Sequence, residues 1–449
     1  MPDYEQLQEW DKKYIWHPFT QMADWVKSDP LIVAGGEGAE LIDVNGNRYI
    51  DGTASMWTNV HGHNVKELNE AITNQLDKIA HSTLLGQANE PSILLAKELI
   101  ELAPRGITRV FYSDNGSTAM EIAVKMAYQY WQHSGHGDKT RFVKLNLAYH
   151  GDTVGAVSIG GVDLFHAAYR NLLFETLSAP APYTYRCPAG NSEKECLRWA
   201  LDGMRQQLAA HPGQIAAIVM EPLVQGAGGV IVHPQGFLKG ARELADEFDT
   251  LLVLDEVMTG FGRCGTQWAS EQEGIVPDIM ATAKGLTAGY MPMAATLCRE
   301  KIYEAFLGDY GEFKTFFHGH TFTGNQIGCA LALANLNIYR RDNFIENLQP
   351  RIRQFHERLE KFYELPAVGD VRYCGLAAGI ELVRDKKNKT PYQVSEQVGI
   401  KVCQAAQERG LAIRPLGSTL VIMPVLAIGE DIMERMLDIT WESILSVTA

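Results

Sequence analysis

The sequence predicts an α/β fold: a large domain with a mainly parallel sheet covered by helices, plus a small α+β domain assembled from N- and C-terminal segments. Three observations carry that expectation. From about residue 65 to 325, helical patterns alternate with short apolar runs, as strands joined by crossover helices do. Two of those runs, Ile215–Met220 (IAAIVM) and 251–254 (LLVL), are apolar at every position, as strands buried on both faces are, and each is followed by an acidic residue. On either side of this region the pattern changes, to short β-rich runs at 31–52 and to mixed helix and strand candidates after 350.

In chain order, residues 31–52 (LIVAGGEGAELIDVNGNRYIDG) are β-rich runs broken by Gly and Asn-Gly, which predicts hairpin strands of a small sheet. Residues 113–131 place Ala119, Ile122, Ala123, Met126, Ala127 and Tyr130 at helical spacing, so an amphipathic helix is expected there. A charged helix is expected at 350–363 and a strand at 420–423. The boundaries drawn are 1–64 for an N-terminal segment joining the small domain, 65–325 for the large domain and 326–449 for the C-terminal small domain.

The 449 residues can bury a large core without disulfides. The formal net charge of −14 argues against nucleic acid or an anionic membrane as a main partner, so an anionic cofactor needs local donors. Seven Cys with no CxxC pair read as reduced, scattered thiols of a cytoplasmic protein, with no zinc module. The first twenty residues carry charges and no apolar h-region, so no signal peptide is expected, and no apolar run suggests a transmembrane helix.

Several constellations could carry chemistry. Asp255 stands where a buried strand ends, the edge at which open α/β sheets bind ligands; a helix cap or a structural ion pair is the plainer reading. Lys284, in PDIMATAKG, follows one βα unit later. A buried lysine must be paired, deprotonated or covalently used, and an imine-forming one needs its pKa lowered; a surface lysine in a turn is the alternative. Asn115-Gly116-Ser117-Thr118 opens the amphipathic helix, offering free N–H groups and hydroxyls to a phosphate, or merely an N-cap. Tyr149, beside the Gly151 turn, could stack on a flat ring or pack in the core. The formal GxGxxG at 260–265 reads as turn glycines, because it does not follow its strand directly and no good helix comes after it. His61/His63 and His318/His320 could each form a metal pair, but no third ligand is evident and no metal is expected. The stretch 318–325, rich in Gly and hydroxyls, looks more like a second phosphate contact. Arg414 could grip a carboxylate in bidentate fashion, or form a surface salt bridge.

The order of these pieces resembles the fold-type I pyridoxal-phosphate enzymes. LDEVMTGFGR at 254–263 followed by PDIMATAKGL at 277–286 is similar to the signature of the class III aminotransferases, and the resemblance covers nearly the whole chain. IWHPFTQM, ASMWTNVHGH, YHGDT, HGHTFTGN and IRPLG look like the branch that aminates 8-amino-7-oxononanoate in biotin synthesis. The resemblance implies pyridoxal 5′-phosphate as cofactor, held by Lys284 as a Schiff base, with Lys284 then moving the proton. It implies that Asp255 pairs with the ring nitrogen, that Gly116 and Ser117 bind the phosphate, and that Tyr149 stacks on the ring. Thr321, beside His320, would reach the phosphate from a partner subunit, so a homodimer is expected. Arg414 would bind the substrate carboxylate, with Trp57, Gly319 and Phe19 around it. Glu221 and Gln225 would sit near the cofactor face, and His150 and Arg263 would support these loops.

Two departures bear on the amino donor. Phe19 stands where the S-adenosylmethionine-using enzymes have Tyr, and Met56 stands where they have a second Trp. S-adenosylmethionine is the family default and lysine the alternative. Transaminases of ornithine or 4-aminobutyrate, an aminomutase on the same scaffold and a binding protein without turnover are the rival readings.

Overall fold

The computed structural model describes residues 2–190 and 192–449. The N-terminal strands β1 (Val33–Glu37), β2 (Glu40–Asp43) and β3 (Arg48–Asp51) form the expected antiparallel hairpins. They start a small four-stranded sheet that the C-terminal part completes.

The central sheet has seven strands: β4 (Ile107–Ser113), β5 (Arg141–Leu145), β6 (Leu177–Ala179), β7 (Ile215–Met220), β10 (Leu251–Asp255), β11 (Ile279–Thr282) and β12 (Ala294–Arg299). A short hairpin, β8 (Val224–Gln225) and β9 (Ile231–Val232), follows β7. The spatial order is β4-β12-β11-β10-β7-β5-β6, and β12 alone runs opposite to the other six strands. Every residue of β7, β10 and β11 is buried, which explains their unbroken apolar runs. The helix Gly116–His133 packs on one face through Ala119, Ile122, Ala123 and Met126, and helices Glu193–Ala210 and Phe237–Glu247 cover the other.

The C-terminal part contributes β13 (Val368–Cys374), β14 (Ala377–Asp385), β15 (Thr390–Pro391), β16 (Leu411–Ala412), β17 (Arg414–Leu416) and β18 (Thr419–Ile422). β13, β14, β18 and β17 make an antiparallel sheet with β15 on the edge of β14, and β16 pairs in parallel with β3. The two ends of the chain thus share the sheet β1-β2-β3-β16, the small α+β unit expected from the sequence. The charged helix begins earlier than expected, at Phe344, and runs to Glu360 before a 3₁₀ turn. Pro350 marks a helix start when read alone, but here it lies inside the helix, because buried Phe344 and Leu348 anchor the turns before it. The GxGxxG stretch is a set of tight turns, with Gly262 and Gly265 at φ of 87° and 100°. Among the described residues, no helix is long and apolar enough to cross a membrane.

Candidate active site

The carboxyl ends of β5, β7, β10 and β11 open into a cavity of about 940 Å³. Asp255, Lys284, Gly116, Ser117, Tyr149, Trp57, Phe19 and Arg414 all line it, so residues spread over 396 positions meet in one space. Strand order explains the central pair. β10 and β11 are parallel neighbours with Asp255 opposite Ala281, and Lys284 follows three residues beyond that partner.

Asp255 is buried, and both its oxygens are bonded: Oδ2 lies 2.7 Å from His150 Nδ1, and Oδ1 accepts the Val257 amide at 3.0 Å. The bond to His150 restrains the carboxylate's rotation, and the remaining lone pairs are available to a ring N–H. Lys284 opens a 3₁₀ turn at φ 46°, a left-handed backbone that turns the chain sharply out of β11. Burial pushes its ammonium down to about 8; the negative charges of Asp255 and Glu221 oppose that shift and Arg263 adds to it. Its Nζ lies 4.9 Å from the centre of the Trp57 indole. Burial thus makes this amine easier to deprotonate near neutral pH than an ordinary lysine.

Glu221, at the end of β7, is buried, and burial pushes its carboxyl up to about 7; neighbouring Asp255 works in the same direction, while His150 and two amides oppose it. Its oxygens accept from Gly226 N at 2.8 Å and Tyr149 N at 3.1 Å, so it couples the 226–230 turn to the tyrosine that lines the cavity. The Tyr149 hydroxyl donates to Asp152 at 2.6 Å. Burial, with that carboxylate beside it, raises the phenol well above its ordinary range.

The start of helix Gly116–His133 has the groups to hold an anion. Asn115 caps it by accepting from Thr118 N at 3.1 Å, as the N-cap reading expects. Helix geometry leaves the Gly116 and Ser117 amides without intrahelical partners, facing the cavity. The space is kept by glycine: a Cβ on Gly116 would meet Val257 at 2.7 Å, and one on Gly151 would meet Ser117 Oγ at 1.9 Å. Ser117 Oγ accepts the Asp152 amide at 3.1 Å, which orients it. A phosphate-bearing aromatic cofactor fits this arrangement: free helix-start amides, a lysine, a buried carboxylate and aromatic side chains on the wall.

Arg414, in β17, is half-buried on the cavity wall and donates to Phe19 O at 3.3 Å. Among the described residues it forms no ion pair, which removes the surface salt-bridge reading. The Phe19 ring packs edge-on against Phe165, 5.2 Å away. Arg263 is buried and donates to Leu376 O at 3.0 Å and Pro424 O at 2.7 Å, tying the turn after β10 to the small unit.

Several of the expected residues lie off this chain's cavity lining. Gln225 is fully buried behind the cavity wall, where its amide donates to Asn146 O at 2.9 Å, because the β8–β9 hairpin turns it inward. Gly319 does not line this chain's cavity; it and Thr321 are exposed on the segment between Phe317 and Gly324. His320, off the lining too, lies 3.0 Å from Asp114 at the cavity's rim. The His61/His63 pair separates: His61 bonds Asn335 at 2.8 Å and His63 bonds Asp51 at 3.0 Å, whereas the His318 and His320 rings stay 5.1 Å apart. Among the described residues, no group of three His, Cys, Asp or Glu side chains could hold a metal.

Phe165, Asp152, Met258 and Tyr290 also line the cavity and were not singled out from the sequence. Asp152 had a signal, its place in the Tyr149–Gly151 turn. Tyr290 donates to Gly62 O at 2.8 Å across 228 positions, a contact no local pattern encodes.

The fold and this site define a pyridoxal-phosphate-dependent transaminase of fold-type I. The family model for class-III aminotransferases matches residues 21–444, and the chain belongs to that family. It is 53% identical, over the full length of both proteins, to the adenosylmethionine-8-amino-7-oxononanoate aminotransferase of Geobacter sulfurreducens. The crystal structure of the enzyme of that name from Methanocaldococcus jannaschii superposes with a TM-score of 0.95 at 44% identity, covering all of both chains. An (S)-enantioselective omega-transaminase from Thermomicrobium roseum superposes at 0.96 with 32% identity, again over all of both chains.

Proposed function

We propose that this protein transfers an amino group from S-adenosylmethionine to the C7 ketone of 8-amino-7-oxononanoate, giving 7,8-diaminononanoate, with pyridoxal 5′-phosphate as cofactor. The observation that carries this reading is Arg414, a guanidinium free of carboxylate partners on the wall of the cavity that holds Lys284 and Asp255. Between them the lining is largely apolar, including Met56, Trp57, Phe165 and Met258, which suits an acceptor with an aliphatic chain ending in a carboxylate. Relatives 45–53% identical over nearly the whole chain bear the name of this activity.

Gly116 and Ser117 would hold the phosphate, Tyr149 would cover the ring and Asp255 would face the ring nitrogen. When bound, the cofactor supplies a carbonyl that takes up the donor's amino group and a ring that draws electrons from the substrate carbon. Lys284 Nζ takes the proton from the amine-bearing carbon and later returns one to the carbon that receives the amine, as a base whose pKa lies near the working pH. Asp255, oriented by His150, keeps the ring nitrogen protonated. Arg414 holds the acceptor's carboxylate and so brings the distant ketone to Lys284. Thr321 and His320 serve a second copy's site, which makes the working form a cytoplasmic homodimer.

The test is incubation of purified protein and 8-amino-7-oxononanoate with S-adenosylmethionine or lysine in separate vessels, followed by mass detection of the diamine. Diamine formed with S-adenosylmethionine is the expected result. Diamine with lysine alone replaces the donor, and amino transfer only to short oxo acids overturns the acceptor.

A further inference from the structure

Four consecutive residues on the cavity's edge lie in left-handed backbone. Ala54, Ser55, Met56 and Trp57 have φ of 46°, 47°, 69° and 69°. None is glycine, so in each the Cβ crowds the following carbonyl, and a run of four is unfavourable for L-residues. The turn closes on itself through Trp57 N to Thr53 O at 2.7 Å and Thr58 N to Ala54 O at 2.9 Å. Those bonds do not select the left-handed form, so surrounding groups must.

Asp51 and His63 are those groups. Asp51 is the last residue of β3 and is 1% exposed. Its Oδ1 accepts Ser55 N at 2.9 Å and its Oδ2 accepts Ser55 Oγ at 2.7 Å. His63 Nε2 lies 3.0 Å from the same Oδ2, and its Nδ1 lies 3.3 Å from Asn59 Nδ2. Asp51 is itself fixed, since its N–H donates to Ala39 O at 2.8 Å and it pairs with Ala412 of β16. Backbone bonds in both directions between His63 and Gly38 fix the histidine. One carboxylate therefore grips the turn at two atoms from a frame that cannot follow it.

The turn's orientation decides where Trp57 points. The indole stands 4.9 Å from Lys284 Nζ, and its other contacts include Gly226, where a Cβ would come within 3.1 Å of the ring.

We propose that Asp51 and His63 are positioning residues for the transamination site: they hold the left-handed turn at 54–57, and through it keep Trp57 against Lys284 and the substrate side of the cavity narrow. This rests on the reading of Trp57 and Lys284 as site residues. Neither Asp51 nor His63 touches the cavity, so both act through the tryptophan.

The experiment compares Asp51→Asn and His63→Ala with wild type as holoenzyme, rates being expressed per cofactor-loaded site. The expected result is a rise of about tenfold in KM for the amino acceptor with kcat within about twofold. In the cofactor-free protein, the emission of Trp57, read as the difference from the matching Trp57→Phe protein, shifts to the red as the indole leaves its wall. Ala54→Gly, which tolerates left-handed backbone, recovers most of the KM when added to Asp51→Asn. An unchanged KM and emission, or a loss of kcat that only follows the folded fraction, overturns the proposal. If Asp51→Asn fails to fold, His63→Ala decides, since that side chain is 18% exposed. If wild type transfers no amino group at all, the proposed function fails, and the emission measurement still reads the turn.

Discussion

His150 Nδ1 lies 2.7 Å from Oδ2 of Asp255, in a buried pair at the carboxyl edge of the sheet. The histidine restrains the carboxylate proposed to meet a cofactor's ring nitrogen. Asp255→Asn keeps shape and removes charge, so cofactor binding should survive while turnover per loaded site falls by roughly 100-fold or more. His150→Phe leaves the charge and releases its orientation, and should cost about tenfold. Both are checked by steady-state rates normalised to bound cofactor. Wild-type rates in Asp255→Asn would remove it from the mechanism.

Lys284 makes stability depend on pH in a defined direction. Burial holds it near 8 in the folded chain against an ordinary 10.5. Below about 8 both folded and unfolded chains carry the charge, and the folded one bears the full cost of burying it. Between 8 and 10.5 the unfolded chain binds more protons, so stability rises with pH across that window. Cofactor-free Lys284→Met should therefore exceed wild type by on the order of 3 kcal/mol at pH 7, at about 1.4 kcal/mol per unit. Most of that advantage should vanish by pH 10. Urea midpoints at the two pH values measure it, and an equal advantage at both would contradict the burial argument.

Arg414 should act on binding rather than on chemistry. Arg414→Met should raise KM for a carboxylate-bearing acceptor by about 10- to 100-fold, the loss of one charge-assisted pair, with kcat little changed. An acceptor methyl ester should show no such difference between the two proteins. A similar KM increase for the ester would mean that the guanidinium supports the wall and not the ligand.

Thr321 is exposed and off this chain's cavity lining, so its proposed role needs a second copy. Lys284→Ala and Thr321→Ala proteins, each weak alone, should regain activity when unfolded together and refolded. A mixed dimer has one site with both residues intact, and random pairing gives about one quarter of wild-type activity. No recovery would mean that Thr321 serves its own subunit or none.

Much of the site was legible because burial leaves a local record. Strands buried on both faces must be apolar at every position, so Ile215–Met220 and Leu251–Asp255 announced themselves, and with them the acidic residues at their ends. A helix start must satisfy its free amides, so Asn115–Thr118 was readable as a cap. The Phe344–Glu360 helix begins before the charged stretch that marks it in the sequence, because the burial of Phe344 and Leu348 that sets its start is not a local signal.

The sequence by itself determined the layered fold and the neighbouring strand ends that bring Asp255 and Lys284 to one edge, since periodicity and residue type follow from which faces are buried. Only the tertiary structure decided that Gln225 turns inward, that Gly319 lies off this chain's cavity lining, and that Ala54–Trp57 coil left-handed under Asp51. Those outcomes depend on contacts between distant segments, whose energies outweigh local preference and leave no mark in the residues nearby.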